Sequence, residues 1–217
     1  MKYIIMCGGY YEHFNETPKQ LSVVNGEPLV ARTIRLLKEN GIKDIFISSN
    51  NPIFKQYGEV LQHENSYVCK NGKVYGYWLD AYYPLDEPCV YLHGDVYYSE
   101  KAIKTIIDCK PSVNTFIGNQ VAKNIQHRNW GEPFGWIIVD QKSFKEGIKK
   151  TKKLQDEGKL TRGYAISWEL YRVLNNLDPN VQWVLDKTYL TIADETIDID
   201  EPFQISQLDS KIKELNQ

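Results

Sequence analysis

Hydrophobic positions in the first part of the chain form two kinds of pattern, a short apolar run and a helical repeat. Residues 2–7 form an apolar run that ends at Gly8-Gly9, which is typical of a buried parallel strand. A helical pattern begins at Pro28 and ends before Gly41, and these residues suit a first helical turn and the position just past a helix end. Residues 44–48 form the next apolar run. Strand, loop, helix and strand in this order predict a βαβ unit and a parallel sheet.

The rest of the chain continues with strands and helices. Apolar runs predict further strands at residues 88–93, 115–118, 135–139 and 197–200, and a hairpin at 66–75 around Asn71-Gly72. Helical spacing predicts helices at 52–62, 76–83, 100–109, 142–157, 164–176 and 203–215. No repeat or linker divides the chain, so we expect one α/β domain.

Composition excludes several classes of protein. The chain has 217 residues, of which 25% are charged and 42% hydrophobic, enough to bury a sizeable core. A formal net charge of −2 gives no basic field, so we expect no nucleic-acid partner. No apolar run approaches the roughly 20 residues of a membrane span, and the glycine-rich N-terminus is too short for a signal peptide. We therefore expect a cytoplasmic protein with no membrane partner.

The cysteines are spread widely and include no CxxC pair: they are Cys7, Cys69, Cys89 and Cys109. This spacing argues against zinc, and a disulfide framework is unusual in a chain of this size. We expect reduced and mostly packed thiols.

The first candidate for chemistry is the loop Cys7-Gly8-Gly9, together with Pro18-Lys19. Glycines after a strand let the backbone approach a phosphate and expose N–H groups to its oxygens, and a lysine adds a compact positive charge. The pattern is neither a Walker A loop nor a dinucleotide fingerprint, because both G-K-[ST] and G-x-G-x-x-G are absent. A tight turn beside a solvated lysine is the alternative explanation.

The second candidate is His93-Gly94-Asp95, at the end of the strand predicted for residues 88–93. A carboxylate at the tip of a buried strand is placed to bind a hard cation such as Mg²⁺, which prefers oxygen ligands. A helix N-cap or a turn aspartate is the alternative.

The third candidate is the short strand at residues 197–200. Alternation along a strand places Asp198 and Asp200 on one face and Ile197 and Ile199 on the other. Two carboxylates on one face repel each other unless a positive group lies near them, so a bound cation is the natural partner. An exposed edge strand with solvated acids is the alternative. All three candidates follow predicted strands, at the edge of an α/β sheet where ligands bind.

The order and spacing of these segments resemble the nucleotidylyltransferases with a GT-A-like fold, which include sugar-phosphate nucleotidylyltransferases and cytidylyltransferases. The matching segments are Cys7-Gly8-Gly9, Pro18-Lys19, Gly26-Glu27-Pro28-Leu29, Gly94-Asp95 and Asp198-Ile199-Asp200-Glu201-Pro202. The resemblance covers nearly the whole chain and is weakest between residues 110 and 190. It implies a single Rossmann-like, three-layer domain over residues 1–217 with a mixed, mostly parallel sheet, and an acceptor-binding insertion around residues 119–175.

The resemblance also implies a reaction and a set of site residues. A nucleoside monophosphate would pass from a nucleoside triphosphate, with CTP favoured, to a small phosphorylated acceptor, and pyrophosphate would leave. CTP is favoured because Pro18-Lys19-Gln20 and residues 197–200 look most like the cytidylyltransferase branches. The catalytic residues would be Lys19, Asp95 and Asp200, and a Mg²⁺ cofactor would bind Asp95, Asp198 and Asp200. The nucleotide would contact Cys7, Gly8, Gly9, Lys19, Gly76, Asp80 and Gly94.

One departure from the family concerns the loop after the first strand. The family's loop usually continues with another glycine and an arginine, whereas residues 10–13 of this chain are Tyr-Tyr-Glu-His. A missing arginine removes one expected contact to the triphosphate. His13, Lys19 or a more distant residue would replace it, or the triphosphate is held more weakly.

The acceptor is expected to bind near residues 123–136 and 162–169, where cations, an acid and large rings occur together. The candidate acceptor-binding residues are Arg128, Glu132, Trp136 and Arg162. Cations suit an acceptor phosphate, and rings suit either a sugar face or a quaternary ammonium, so a sugar phosphate and a phosphocholine-like compound both fit. The alternative is that the rings are core and the cations are solvated.

Two other functions compete with this interpretation. A GT-A glycosyltransferase that uses a nucleotide sugar normally carries Asp-x-Asp after the central strand, where this chain has His93-Gly94-Asp95. A catalytically inactive nucleotide-binding regulatory domain would explain the altered residues 10–13, but pure binding would not require Lys19 and three aspartates. The sequence leaves the oligomeric state open, with a homo-oligomer among the alternatives.

Overall fold

A seven-stranded sheet forms the centre of the protein. The computed structural model describes residues 1–8, 14, 17–63, 67–70, 73–119, 131–181 and 184–215. Its strands are β1 (Lys2–Met6), β2 (Val23–Val24), β3 (Glu27–Pro28), β4 (Ile45–Ser48), β5 (Val60–Leu61), β6 (Val68–Lys70), β7 (Lys73–Tyr75), β8 (Cys89–His93), β9 (Val96–Tyr97), β10 (Thr115–Asn119), β11 (Glu132–Ile138), β12 (Tyr189–Thr191) and β13 (Ile197–Asp198). Its helices are α1 (Leu29–Glu39), α2 (Glu100–Asp108), α3 (Gln141–Asp156), α4 (Ser167–Leu174) and α5 (Pro202–Leu215).

The strand order in the central sheet is β12-β10-β11-β8-β1-β4-β5. Every neighbouring pair is parallel except the two pairs that β11 makes, with β8 and with β10. The prediction of a mixed, mostly parallel sheet is therefore confirmed. Met6 at the end of β1 lies opposite Ser48 of β4 and His93 of β8, so three parallel strands end side by side.

Helices cover both faces of the sheet, which gives the expected three layers. Successive residues of β1 alternate between the faces: Tyr3 and Ile5 belong to a core with α1 and α2, whereas Ile4 and Met6 belong to a core with α3 and α4. Because both faces are buried, β1 and β8 read as continuous apolar runs.

A third, smaller core lies beside the sheet. Residues Ile197 and Ile199 pack there with Leu208 of α5 and with Val24 of the β2–β3 hairpin. This core fixes the acidic segment near residue 200 against the rest of the domain.

Several predicted elements differ in the structure. Residues 52–62 are not a helix: Pro52–Gln56 is a 3-10 turn, and Val60 then pairs with Ile47 of β4. Pairing with the sheet edge outweighs the local helical pattern there. The helix predicted at 76–83 is the 3-10 turn Trp78–Ala81, and β13 ends at Asp198 rather than at residue 200.

Two further differences lie in the second half of the sheet. Strand β11 begins at Glu132, before the predicted start at residue 135, and β12 was not predicted. Strand β12 has only three residues, too few to show a clear period, and it forms by pairing with β10. The hairpin at 66–75 is confirmed by antiparallel β6 and β7, although Asn71-Gly72 lie outside the described residues.

Two other sequence expectations can be compared with the structure. Cys7, Cys89 and Cys109 are free thiols, as expected, and the side chain of Cys69 is outside the described part. Within the described residues, no helix combines the length and apolarity that crossing a membrane requires.

Candidate active site

The end of β8 is held tightly against the end of β1. The N–H of Gly94 donates to the Met6 carbonyl at 3.0 Å. A Cβ atom at Gly94 would lie 2.6 Å from that carbonyl oxygen and 2.8 Å from the Cys7 sulfur, so only glycine fits here. The turn that follows places Asp95 at the carboxyl edge of the sheet, as the sequence predicts.

Lys19 meets two of the predicted aspartates at this edge. Its ammonium lies 3.0 Å from Asp95 Oδ2 and 3.3 Å from Asp200 Oδ1. The Lys19 side chain is only 3% exposed, and a buried lysine is rare unless it is paired with an acid. Lys19 is therefore not a solvated surface lysine, and three distant segments of the chain converge on one charged cluster.

The acidic segment after β13 contributes Asp198 and Asp200 to the same place. Ile197 and Ile199 turn into the small core, which leaves the two aspartates on the opposite side, as alternation predicts. The backbone N–H groups of Asp200 and Glu201 both donate to Gln204 Oε1 at 2.6 Å. A fully buried glutamine in the first turn of α5 thus holds this segment in position.

Negative charge is concentrated around Asp198. Burial raises the pKa of the Asp198 carboxyl well above its usual range, and the nearby charges of Asp200 and Asp95 raise it further. Lys19 acts in the opposite direction. A ligand that brings positive charge into this cluster would relieve the repulsion among the acids.

The fit of the cluster to Mg²⁺ depends on its oxygen donors. No group of three or more His, Cys, Asp or Glu arranged for metal binding occurs among the residues that the structure describes. Two carboxylates, Asp95 and Asp200, nevertheless approach one cation, the Lys19 ammonium. Mg²⁺ in phosphoryl-transfer sites is usually bound by one or two carboxylates together with water and substrate phosphates. The donor set fits a metal ion that arrives with a triphosphate.

The charged cluster opens into a cavity of about 200 Å³ with aromatic walls. Two of the predicted acceptor-binding residues, Glu132 and Arg162, line it, as does Trp168. The guanidinium of Arg162 lies 5.7 Å from the ring centroid of Tyr164, and its Nε lies 3.7 Å from Glu169 Oε1. The cavity therefore joins the acidic cluster to the predicted acceptor region.

Further wall residues were not named as candidate site residues: Tyr67, Trp78, His93, Tyr164 and Ser167. Tyr164 and Ser167 nevertheless fall within residues 162–169, near which the sequence predicts that the acceptor binds. Trp78 lies between Gly76 and Asp80, which the family resemblance assigned to the nucleotide site. His93 lies directly before Gly94, so its proximity to the site could have been read from the sequence. The position of Tyr67 depends on packing between distant segments.

Several predicted site residues lie elsewhere. Trp136 is fully buried between Phe116 and Phe144 in the core, so its assignment to an acceptor site is not supported by its position. Asp80 forms an ion pair with Lys152 of α3 and lines a different pocket. The carbonyl of Gly76 accepts a hydrogen bond from Gln155, also on α3.

The predicted glycine loop is described only in part. Cys7 is buried, and its carbonyl accepts from Ser49 Oγ at 2.6 Å, while the Gly8 carbonyl accepts from Gln20 Nε2 at 3.3 Å. These bonds bring the loop to the same edge as Lys19. Gly9 and Arg128 lie outside the described residues.

The fold is a mixed, mostly parallel α/β sheet with helices on both faces. Three solved structures share this fold, and each is named as a nucleotidylyltransferase. A candidate glucose-1-phosphate thymidylyltransferase from Bacillus anthracis, solved with sucrose, is 16% identical to this chain in sequence and matches it with a TM-score of 0.56. The match covers 97% of this chain and 94% of that one. The CTP:phosphocholine cytidylyltransferase from Streptococcus pneumoniae is 17% identical and matches with a TM-score of 0.55, and this match covers 97% of this chain and 98% of that one.

The third structure is the inositol-1-phosphate CTP transferase from T. maritima, 16% identical with a TM-score of 0.56, over 98% of this chain and 96% of that one. Searches with the sequence found no matching family model and no matching curated protein. The likeness to solved structures spans the whole domain and establishes its fold.

Proposed function

We propose that the protein is a magnesium-dependent nucleotidylyltransferase, which transfers a nucleoside monophosphate to a small phosphorylated acceptor and releases pyrophosphate. The observation that carries the proposal is the meeting of Lys19, Asp95 and Asp200 at one edge of the sheet, with Nζ to oxygen distances of 3.0 and 3.3 Å. The three solved structures that share this fold are named as transferases of this class.

The chemistry needs positioning and neutralisation of charge more than it needs a covalent nucleophile. An acceptor phosphate oxygen attacks the α-phosphorus in line, and pyrophosphate leaves from the opposite side. Lys19 would stabilise the charge on the triphosphate, together with backbone N–H groups of the loop after β1. Asp95 and Asp200 would bind Mg²⁺, which supplies Lewis-acid stabilisation of the phosphates.

CTP is the triphosphate that we favour. Pro18-Lys19-Gln20 and residues 197–200 resemble the cytidylyltransferase branches of the family. Two of the three neighbouring structures are named as enzymes that use CTP. Cys7, Gly8, Gly9 and Gly94 would border the nucleotide.

The cavity suits an acceptor that has a phosphate and a second recognised group. Arg162 is 47% exposed at the cavity wall and is available to a phosphate. Trp78, Tyr164 and Trp168 offer ring surfaces for a sugar face or for a quaternary ammonium. A sugar phosphate and a phosphocholine-like compound are therefore the two acceptor classes to test first.

A pyrophosphate-release screen tests the proposal directly. Each of four nucleoside triphosphates is combined with Mg²⁺ and with a panel of sugar 1-phosphates, phosphocholine and phosphoethanolamine. We expect release that requires both substrates and is fastest with CTP. Asp200→Asn serves as the negative control because it removes one proposed metal ligand.

Two outcomes of this screen would contradict the proposal, and each would favour a different function. Binding of a triphosphate without release for any acceptor would favour a regulatory nucleotide-binding domain. Transfer of sugar from a nucleotide sugar, without pyrophosphate, would favour a glycosyltransferase.

A further inference from the structure

A chain of hydrogen bonds runs along the wall of the cavity through His93. The Nε2 atom of His93 lies 3.0 Å from Ser167 Oγ, and Ser167 Oγ lies 2.5 Å from the hydroxyl of Tyr82. His93 is 4% exposed and Ser167 is fully buried, so neither side chain can exchange these partners for bulk water without opening the wall.

The chain joins three segments around the site. Tyr82 follows the 3-10 turn Trp78–Ala81, Ser167 begins α4 and His93 ends β8. The ring of Trp78 packs edge-on against His93, at 5.4 Å between centroids. On its other side the same strand end is fixed to β1 by the bond from Gly94 to Met6. Asp95 is the next residue, so both sets of contacts act on its backbone.

We propose that His93, Ser167 and Tyr82 are positioning residues, which hold Asp95 at the distance and angle from Lys19 and Asp200 that the reaction needs. This inference rests on the proposed function. None of the three side chains transfers a group or a proton in it. Their effect passes through the backbone of Gly94 to the Asp95 carboxylate.

Tyr82→Phe and Tyr91→Phe form a matched pair for the test. The two rings contact each other at 5.2 Å, and each hydroxyl makes a hydrogen bond of 2.5 Å. The Tyr82 hydroxyl bonds that of Ser167, within the chain, whereas the Tyr91 hydroxyl donates to the Tyr83 carbonyl, outside it. Both variants remove one hydrogen bond from a buried ring, so their losses of thermal stability should be similar.

The expected result is a fall in kcat for Tyr82→Phe and for Ser167→Ala, by about 10-fold to 100-fold, with the KM for the triphosphate nearly unchanged. Tyr91→Phe should keep wild-type kcat. Ser167→Thr should recover part of the loss, since it restores a hydroxyl. Equal kcat losses in Tyr82→Phe and Tyr91→Phe would overturn the proposal and leave a purely structural chain.

One measurement that does not depend on turnover separates this proposal from the proposed function. Binding of Mn²⁺, followed by EPR, should weaken in Ser167→Ala but not in Tyr91→Phe. If no acceptor gives pyrophosphate, the proposed function fails. Unchanged Mn²⁺ affinity in Ser167→Ala refutes the positioning chain.

Discussion

Gly94 approaches Cys7 so closely that a Cβ atom on Gly94 would lie 2.8 Å from the Cys7 sulfur, with the Met6 carbonyl oxygen at 2.6 Å. Backbone cannot give way as a flexible side chain can. We therefore expect Gly94→Ala to push the ends of β1 and β8 apart and to lower the free energy of unfolding by about 1–3 kcal/mol. Urea denaturation measures this. Gly58→Ala is the control, because its Cβ would meet only Ile47, at 3.9 Å. Equal stability of the two variants would contradict the expected clash.

Removal of the Lys19 charge should affect the triphosphate more than the fold. Lys19→Ala is expected to lower kcat/KM for the triphosphate by roughly 10²- to 10³-fold, as loss of one charge-stabilising donor commonly does. Steady-state kinetics with saturating acceptor measure this. Lys104→Ala, at an exposed position of α2, is the control and should behave as wild type. An unchanged kcat/KM in Lys19→Ala would remove Lys19 from the mechanism.

The aspartates should differ in their importance. Asp95→Asn and Asp200→Asn are each expected to abolish turnover, because both carboxylates face the same cation position. Asp198→Asn should be milder, since the cation position that the Lys19 ammonium occupies lies beside Asp95 and Asp200. The rate of pyrophosphate release by each variant, measured over a range of Mg²⁺ concentrations, ranks the three aspartates. Normal release by Asp95→Asn would refute the metal assignment.

Arg162 and Trp136 should separate acceptor binding from stability. Arg162→Ala is expected to raise the acceptor KM by about 10-fold or more, while thermal stability and the triphosphate KM stay near wild type, because one charged hydrogen bond is worth roughly 1.5–3 kcal/mol. Trp136→Ala should instead destabilise the fold by about 3–5 kcal/mol, as large aromatic truncations in a core do. Calorimetry and acceptor kinetics on both variants decide this. If Trp136→Ala kept its stability and had a raised acceptor KM, Trp136 would be an acceptor-binding residue after all.

The buried imidazole of His93 should make stability depend on pH. Burial lowers its pKa from 6.5 to about 4, so the folded state keeps it neutral while the unfolded state takes up a proton. The contribution of the neutral ring is present above pH 6.5 and is lost as pH falls toward 4. It amounts to about 3 kcal/mol at most, at 1.36 kcal/mol per pKa unit.

His93→Gln tests this pH dependence, because glutamine can donate and accept but does not titrate. The difference in unfolding free energy between wild type and His93→Gln should shrink as pH falls from 7 to 4.5. Titration of the other acids cancels in that difference. A constant difference over this range would show that the His93 pKa is not lowered.

The central cluster could be predicted from sequence for a geometric reason. Parallel strands end at one edge, so residues that follow β1 and β8 must approach each other wherever those strands pair. Lys19 and Asp95 are brought together by this rule and by glycine at residue 94. The segment at Asp200 required the family resemblance as well, because β13 is too short to reveal its partner.

The cavity walls were harder to predict. Strand β11 is covered on both faces, so a ring in it is core whatever its neighbours suggest, and this is why Trp136 was misplaced. Tyr67 and Tyr164 meet at 6.3 Å between ring centroids although they belong to distant segments. No local pattern marks such a contact. The distinction between core rings and wall rings depends on tertiary packing alone.

The reversed direction of β11 has a consequence for how this scaffold can be re-engineered. Since β11 runs against its neighbours, its first residues, Glu132 and Pro133, face the cavity, and residue 119 at the end of β10 lies opposite them. The end of β10 and the start of β11 therefore both lie next to the cavity. Exchanging the residues between 119 and 132 would replace a single continuous piece of chain. Under the proposed function, the choice of acceptor could be changed in this way without altering the register of any strand.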